Sequence, residues 1–256
     1  MPPAPHPGPA GATAEASPGA PLGYRFRGPL TYEFARYDTL TFTGPGAGAP
    51  QISGKLGVVG VHPAGAQLEI SLDSLEAAPG SRLSPAATDS AVGARWQVRL
   101  GATGPAGPIA ANRRTITVEQ ITEVVRLLLP SLPKGGLKAQ DLWTDSTSYP
   151  VEVDAFQALE STTRRSRAMP LGGGSGVTVE EQVTRTGRTT QAGQGMTMTA
   201  TGRRTVSYEL APEGWVRALT GRDSLELRVT VSATGQLIPV QWRTSYSARV
   251  RAPAAR

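Results

Sequence analysis

The sequence predicts a mainly β protein: a strongly curved antiparallel meander, or half-barrel, of about ten strands with one amphipathic helix packed on its concave face. Three observations predict it. Segment after segment alternates apolar and polar side chains with a period of two, the pattern of strands with one wet face. A single run, Val118 to Leu129, carries apolar residues at helical spacing instead. Turn signals such as Ala233-Thr234-Gly235-Gln236 separate the alternating segments, so strands follow one another as hairpins. A sheet of that many one-faced strands must curl to hide its apolar side, and a two-sheet sandwich is the structural alternative.

The first segment, residues 1–22, is Pro, Ala and Gly with almost no large apolar side chain, and is expected to be a disordered leader. It lacks the basic and apolar regions of a signal peptide, which leaves a cytoplasmic tail or the linker that follows an export signal; the second is preferred. Residues 23–252 are expected to form a single β-rich domain, a split near residue 140 being the less favoured division. Leu30, Tyr32 and Phe34, then Leu40 and Phe42, share one parity, with Arg36 and Asp38 interrupting it. Residues 51–61 read as a second strand whose glycines suggest a bulge or a close backbone approach. Leu68, Ile70 and Leu72 mark a third strand, residues 78–94 a long polar loop, and Trp96, Val98 and Leu100 a fourth strand. A short strand around Thr115 to Thr117 is expected to lead into the helix.

In the helix, Val118, Ile121, Val124, Val125, Leu128 and Leu129 share a face that Glu119, Glu123 and Arg126 avoid. Thr117 with Gln120 suits a capping box, and Pro130 ends the run. Residues 131–150 show no clear period, with Trp143 and Tyr149 expected to anchor in the body. Alternation then resumes: Met196, Met198, Val206, Tyr208 and Leu210 share one parity, and Leu225, Leu227, Val229 and Val231 face a return strand bearing Ile238, Val240, Trp242, Tyr246 and Val250.

The order of parts resembles a bacterial envelope-protein family of uncharacterised function. The residues that carry the resemblance are the opening strand with Tyr32 and Phe34, the helix ending in LLPSLP, the segment running to DLWTDS, and the closing pair VSATGQL and VQWRTSYSARV. Leu129, Pro130, Pro133, Gly135, Gly136 and Trp143 match the family's segment after the helix, although the glycines stand further from the tryptophan than in the family pattern. The resemblance implies a sheet like the half-barrels of lipoprotein carriers and a periplasmic or cell-envelope location. It implies no reaction.

Chemistry narrows by elimination. With no cysteine in 256 residues, disulfides, thiolate metal sites and cysteine nucleophiles are excluded. The two histidines, His6 and His62, have no partner nearby in sequence, so no metal, cofactor or catalytic residue is expected. GGGSG at 172–176 lacks the Lys-Ser/Thr pair of a phosphate loop. The net charge is +6, but of 26 basic residues only Lys55, Lys134 and Lys138 are lysine, leaving 23 arginines. No basic stretch is interleaved with stacking aromatics, so nucleic acid is not an expected partner.

Two candidate surfaces remain. Ile121, Val125, Leu128, Met196, Met198 and Trp242 could line a lipid-sized cavity between sheet and helix, or could be core. Arg164, Arg165, Arg185, Arg188, Arg203 and Arg204, near the expected turns, could form a basic rim for anionic lipid or an acidic protein, or could guard strand edges. The expected function is therefore a non-enzymatic envelope protein that binds a lipid or lipid anchor. The alternative is an accessory subunit that docks on an envelope complex, with a filled core and an exposed patch.

Overall fold

A computed structural model describes residues 24–44, 47–101, 103–133, 136–138, 140–153, 156–171, 174–191 and 193–251. The expected leader, with His6, and Gly135 of the family segment lie outside the described residues. The chain is mainly β, with one antiparallel sheet curved into a half-barrel, as the alternation predicts.

Five strands form one wing of that sheet: β1 (Leu30–Phe42), β2 (Gln51–Ala64), β3 (Gln67–Ala77), β4 (Arg95–Gly101) and the two-residue β5 (Gly104–Pro105). Six more form the other: β6 (Leu142–Val153), β7 (Phe156–Leu171), β8 (Gly174–Gln191), β9 (Gln194–Leu210), β10 (Val216–Val231) and β11 (Leu237–Val250). The order across the sheet is β5-β4-β3-β2-β1-β11-β10-β9-β8-β7-β6. Each wing is a meander, and the two join where β1 pairs with β11, from Tyr32 opposite Val250 to Phe42 opposite Val240. The chain therefore leaves the first wing at one edge and must re-enter at the other. The helix α2 (Ile116–Leu127) is the connection that spans that distance, and its apolar stripe makes the concave side the place for it to cross.

That stripe is fully used. Val118, Ile121, Val124, Val125 and Leu128 are buried against Tyr32, Val59, Ile70, Trp96, Val206 and Leu219 of the sheet in one apolar cluster. Inside it the Trp96 indole donates to Thr122 Oγ1 at 2.9 Å, and the Thr122 hydroxyl donates in turn to Val118 O at 2.8 Å. A second apolar cluster fills the far end of the trough, with Val151, Val153, Val183, Met198, Leu225, Leu227, Val240 and Trp242.

Several expectations are corrected by local chemistry. Thr115 is the helix N-cap, its side chain accepting from Val118 N, so no strand precedes the helix and Thr117 is buried inside it. The polar loop contains a short helix, α1 (Pro85–Ala91), started by Ser84 as N-cap and Pro85. Only Thr88 and Ala91 of α1 are buried, too few to show a period. The stretch without visible period contains β6: Trp143, Asp145, Thr147 and Tyr149 face inward, and their mixed polarity masks the alternation. The strand bearing Leu225 to Val231 begins earlier than its alternation shows, at Val216, so that β10 runs unbroken over 16 residues.

The glycines of β2 act as anticipated. A Cβ on Gly57 would stand 2.6 Å from the Phe34 ring and 2.7 Å from Ser74 O, and a bulge shifts the β2–β3 register next to it, between Val58 and Val59.

Candidate functional site

Between the two apolar clusters the concave face is crossed by a band of charge. Each member sits on the inward parity of its strand, so strand alternation alone carries it into the trough: Arg36 and Asp38 on β1, Lys55 on β2, Asp223 on β10, Arg204 on β9, Glu181 and Arg185 on β8, Glu160 and Arg164 on β7. The helix contributes Glu123.

The band is two linked networks. In the first, Arg36 grips Asp38 through Nε and Nη2, both at 2.9 Å, while Lys55 Nζ (3.3 Å), Trp242 Nε1 (3.1 Å) and Thr244 Oγ1 (2.9 Å) donate to the same carboxylate. In the second, Arg204 donates to Asp223 at 3.0 Å, to Glu181 at 3.0 Å and to Glu160 at 3.4 Å. Arg185 Nε meets Glu160 at 2.5 Å, and Arg164 Nε meets Glu181 at 2.6 Å. Glu123 joins them: its Oε2 accepts from Arg36 at 2.5 Å and its Oε1 from Arg185 at 3.0 Å. Arg36 also donates to the helix backbone at Gln120 O, 3.0 Å away. The Arg185 guanidinium lies 5.1 Å from the Trp242 ring centroid.

Burial and pairing pull these groups in opposite directions. Burial pushes Glu123 up, but Arg36, Arg185 and Arg204 outweigh it and hold the carboxyl well below its usual range. Asp38 and Glu160 are likewise held low against burial, by Arg36 and by Arg204 respectively. For Asp223 burial wins over Arg204 and Tyr246, and its affinity for a proton rises. For Lys55 burial pushes the ammonium down, with Asp38 only partly restoring it.

Beside the band lies a small cavity of about 50 Å³, between the end of α2 at Leu129, Pro130 and Ser131 and the β6 residues Asp145 and Tyr149, with Arg204 and Asp223 among its walls. Two atoms on β6 are buried without a hydrogen-bond partner: Trp143 Nε1 and Asp145 Oδ1, the latter 3.7 Å from Arg164. The space suits a few waters rather than a lipid chain.

The residues proposed for a lipid cavity are not brought together. Ile121, Val125 and Leu128 belong to the cluster under the helix, Met198 and Trp242 to the cluster beyond the charged band, and Met196 is half-buried near a turn. The basic rim also divides. Arg165, Arg188 and Arg203 are exposed on the convex face, whereas Arg185 and Arg204 are buried in the band and Arg164 is largely covered beside it. The rim assignment fails for these three because they share the inward parity.

Arg36, Asp38, Lys55, Glu123, Glu160, Glu181 and Asp223 escaped sequence reasoning as a site. Their one visible signal is charge on the apolar parity, as where Arg36 and Asp38 follow Tyr32 and Phe34. Chemically the band commits its carboxylates to cations, strand to strand and helix to sheet. Of the described helices, none is long and apolar enough to cross a membrane. No protein-family model matches the chain, and no curated protein matches it.

Proposed function

We propose that the protein is a non-enzymatic docking subunit of the bacterial cell envelope, working through its outer face and edges rather than through an internal pocket. One observation carries this reading. The concave face, where a carrier would hold its cargo, is occupied by α2 and by paired charge, leaving a cavity of about 50 Å³. The envelope location draws its support from the sequence resemblance. The β6 edge bears on the docking reading: among the described residues this strand has no neighbour on its outer side and leaves Leu142 67% exposed, while Pro150 and the inward Asp145 restrict how far a partner strand can pair along it.

Lipid binding between sheet and helix is the second reading, favoured by one feature. The helix meets the middle of the sheet through a polar clasp, Glu123 with Arg36 and Arg185, at which a ligand could compete. Such a ligand must replace the burial of Val118, Ile121, Val124, Val125 and Leu128, at about 1.5–3 kcal/mol for each side chain.

Native mass spectrometry before and after solvent extraction separates the two. The docking reading expects the bare chain mass in both. A stoichiometric adduct of lipid mass that extraction removes would replace it with the carrier reading.

A further inference from the structure

The described histidine, His62, has no partner nearby in sequence, but the sheet gives it two. Val59 and Val61 of β2 are buried in the core, so Gly60 and His62 face outward on the convex side of the first wing. Antiparallel register sets Ser71 of β3 directly opposite Gly60. Asp73 is the extra residue of the bulge: Leu72 pairs with Val59 and Ser74 with Val58, which leaves Asp73 unpaired between them. A bulge re-aims the side chain it carries.

These side chains converge over the glycine. From the point that a Cβ on Gly60 would take, Asp73 Oδ2 lies 3.0 Å away, Ser71 Oγ 3.0 Å and His62 Nε2 3.1 Å. His62 reaches that point from one end of the strand pair and Asp73 from the other, and between them they leave Gly60 buried although it faces outward. At no other described glycine do polar side-chain atoms of three residues meet in this way. Ser71 donates its hydroxyl proton to Asp73 Oδ1 at 2.6 Å. Among the described residues the imidazole has no hydrogen-bond partner and Asp73 no salt bridge, whereas Glu69, directly opposite His62, is engaged by Arg95 at 3.2 Å. What faces the space over Gly60 is therefore a set of lone pairs: a carboxylate oxygen, a hydroxyl oxygen and, in the Nδ1–H tautomer, an imidazole nitrogen.

We propose that His62 Nε2, Asp73 Oδ2 and Ser71 Oγ bind a divalent transition-metal-type cation such as zinc, with water in its remaining positions. Asp73 excludes an anion, and the imidazole selects zinc-like ions over calcium or magnesium, which take oxygen ligands. Zinc ligands stand about 2.0–2.2 Å from the ion. His62 and Asp73 are exposed and reach such distances by side-chain rotation, with the ion further from the sheet than a Cβ would be. Glycine at position 60 keeps the floor of the site open. The inference is independent of the docking reading.

Its test is zinc titration of the full chain by isothermal calorimetry in an H6A background, where His62 is the sole histidine and its imidazole NMR signals can be followed alone. One zinc ion per chain is expected, with those signals moving along the same isotherm. H62Q and D73N should each weaken binding about tenfold or more, and G60A about fivefold or more, because its Cβ takes the floor of the site. E76Q, at an exposed acid of the same strand, should change it less than about twofold, and calcium should bind at least about tenfold more weakly than zinc. Thermal melting without metal checks that each variant is folded. No zinc uptake up to about 1 mM would overturn the proposal. So would a loss in H62Q that neither D73N nor G60A shares, which would reduce the site to a lone imidazole, and so would calcium binding as tightly as zinc.

Discussion

At the scale of single residues, the charged band separates two kinds of buried cation. Arg204 is shared by Asp223, Glu181 and Glu160, so its removal leaves Asp223 in the trough without a cation and Glu181 and Glu160 with Arg164 and Arg185 alone. Arg204→Met is expected to cost about 3–5 kcal/mol, as for other broken buried ion pairs. Lys55 is different, since Asp38 keeps Arg36, Trp242 and Thr244 when the ammonium goes, and the ammonium is itself disfavoured by burial. Lys55→Met should therefore change stability by less than about 1 kcal/mol. Urea unfolding of both variants checks the pair, and equal costs would show that Arg204 has no special place. These residues also show why the site was hard to see. A charged side chain on an apolar parity reads as an interruption of a strand until the partners that neutralise it, distant in sequence, are known.

At the scale of elements, the same reasoning accounts for what was legible. The α2 stripe, the alternation of β3, β4 and β9, and the β10–β11 hairpin turn were plain because each is set by neighbours in sequence. The β6 strand was not, because Asp145 and Thr147 occupy inward positions where an apolar side chain is the usual signal. Packing inside the trough depends on another local feature, close approach over a residue without a side chain. On β10 a Cβ at Gly221 would lie 2.2 Å from the Tyr246 ring and 2.9 Å from Thr205 O. Tyr246 donates to Asp223 at 2.6 Å, so moving the ring also disturbs the band. Gly221→Ala is expected to lower stability by about 1–3 kcal/mol, read from the midpoint of urea unfolding. A variant as stable as the parent would mean that the ring has a second resting place of equal energy.

At the scale of the molecule, the band makes stability depend on pH. Glu123, Asp38 and Glu160 titrate lower in the fold than in the open chain, so their contribution is complete above about pH 4.3 and is lost as pH falls through their folded values. Asp223 and Asp145, raised by burial, act in the opposite sense, favouring the fold below about pH 3.9 and losing that contribution as pH rises through their folded values. With three groups held low and Glu123 held furthest, the net expectation is weakening below about pH 4. Glu123→Gln should cost about 1–3 kcal/mol at pH 7 and noticeably less at pH 3. Urea unfolding at the two values measures this, and an unchanged difference would show that Glu123 is not ionised in the clasp.

The pairing of β1 with β11 also orders events in time. Asp38 and Trp242 bond across 204 residues of sequence, at the centre of the sheet. As the chain leaves the ribosome, the first wing and the helix emerge long before the strand that joins them to the rest. Until Leu237–Val250 is made, β1 presents an open edge and the apolar cluster under α2 lacks Tyr246 and Ala248. Closure at the middle of the sheet is then among the last steps of folding, which favours slow folding and a need for protection of the nascent chain.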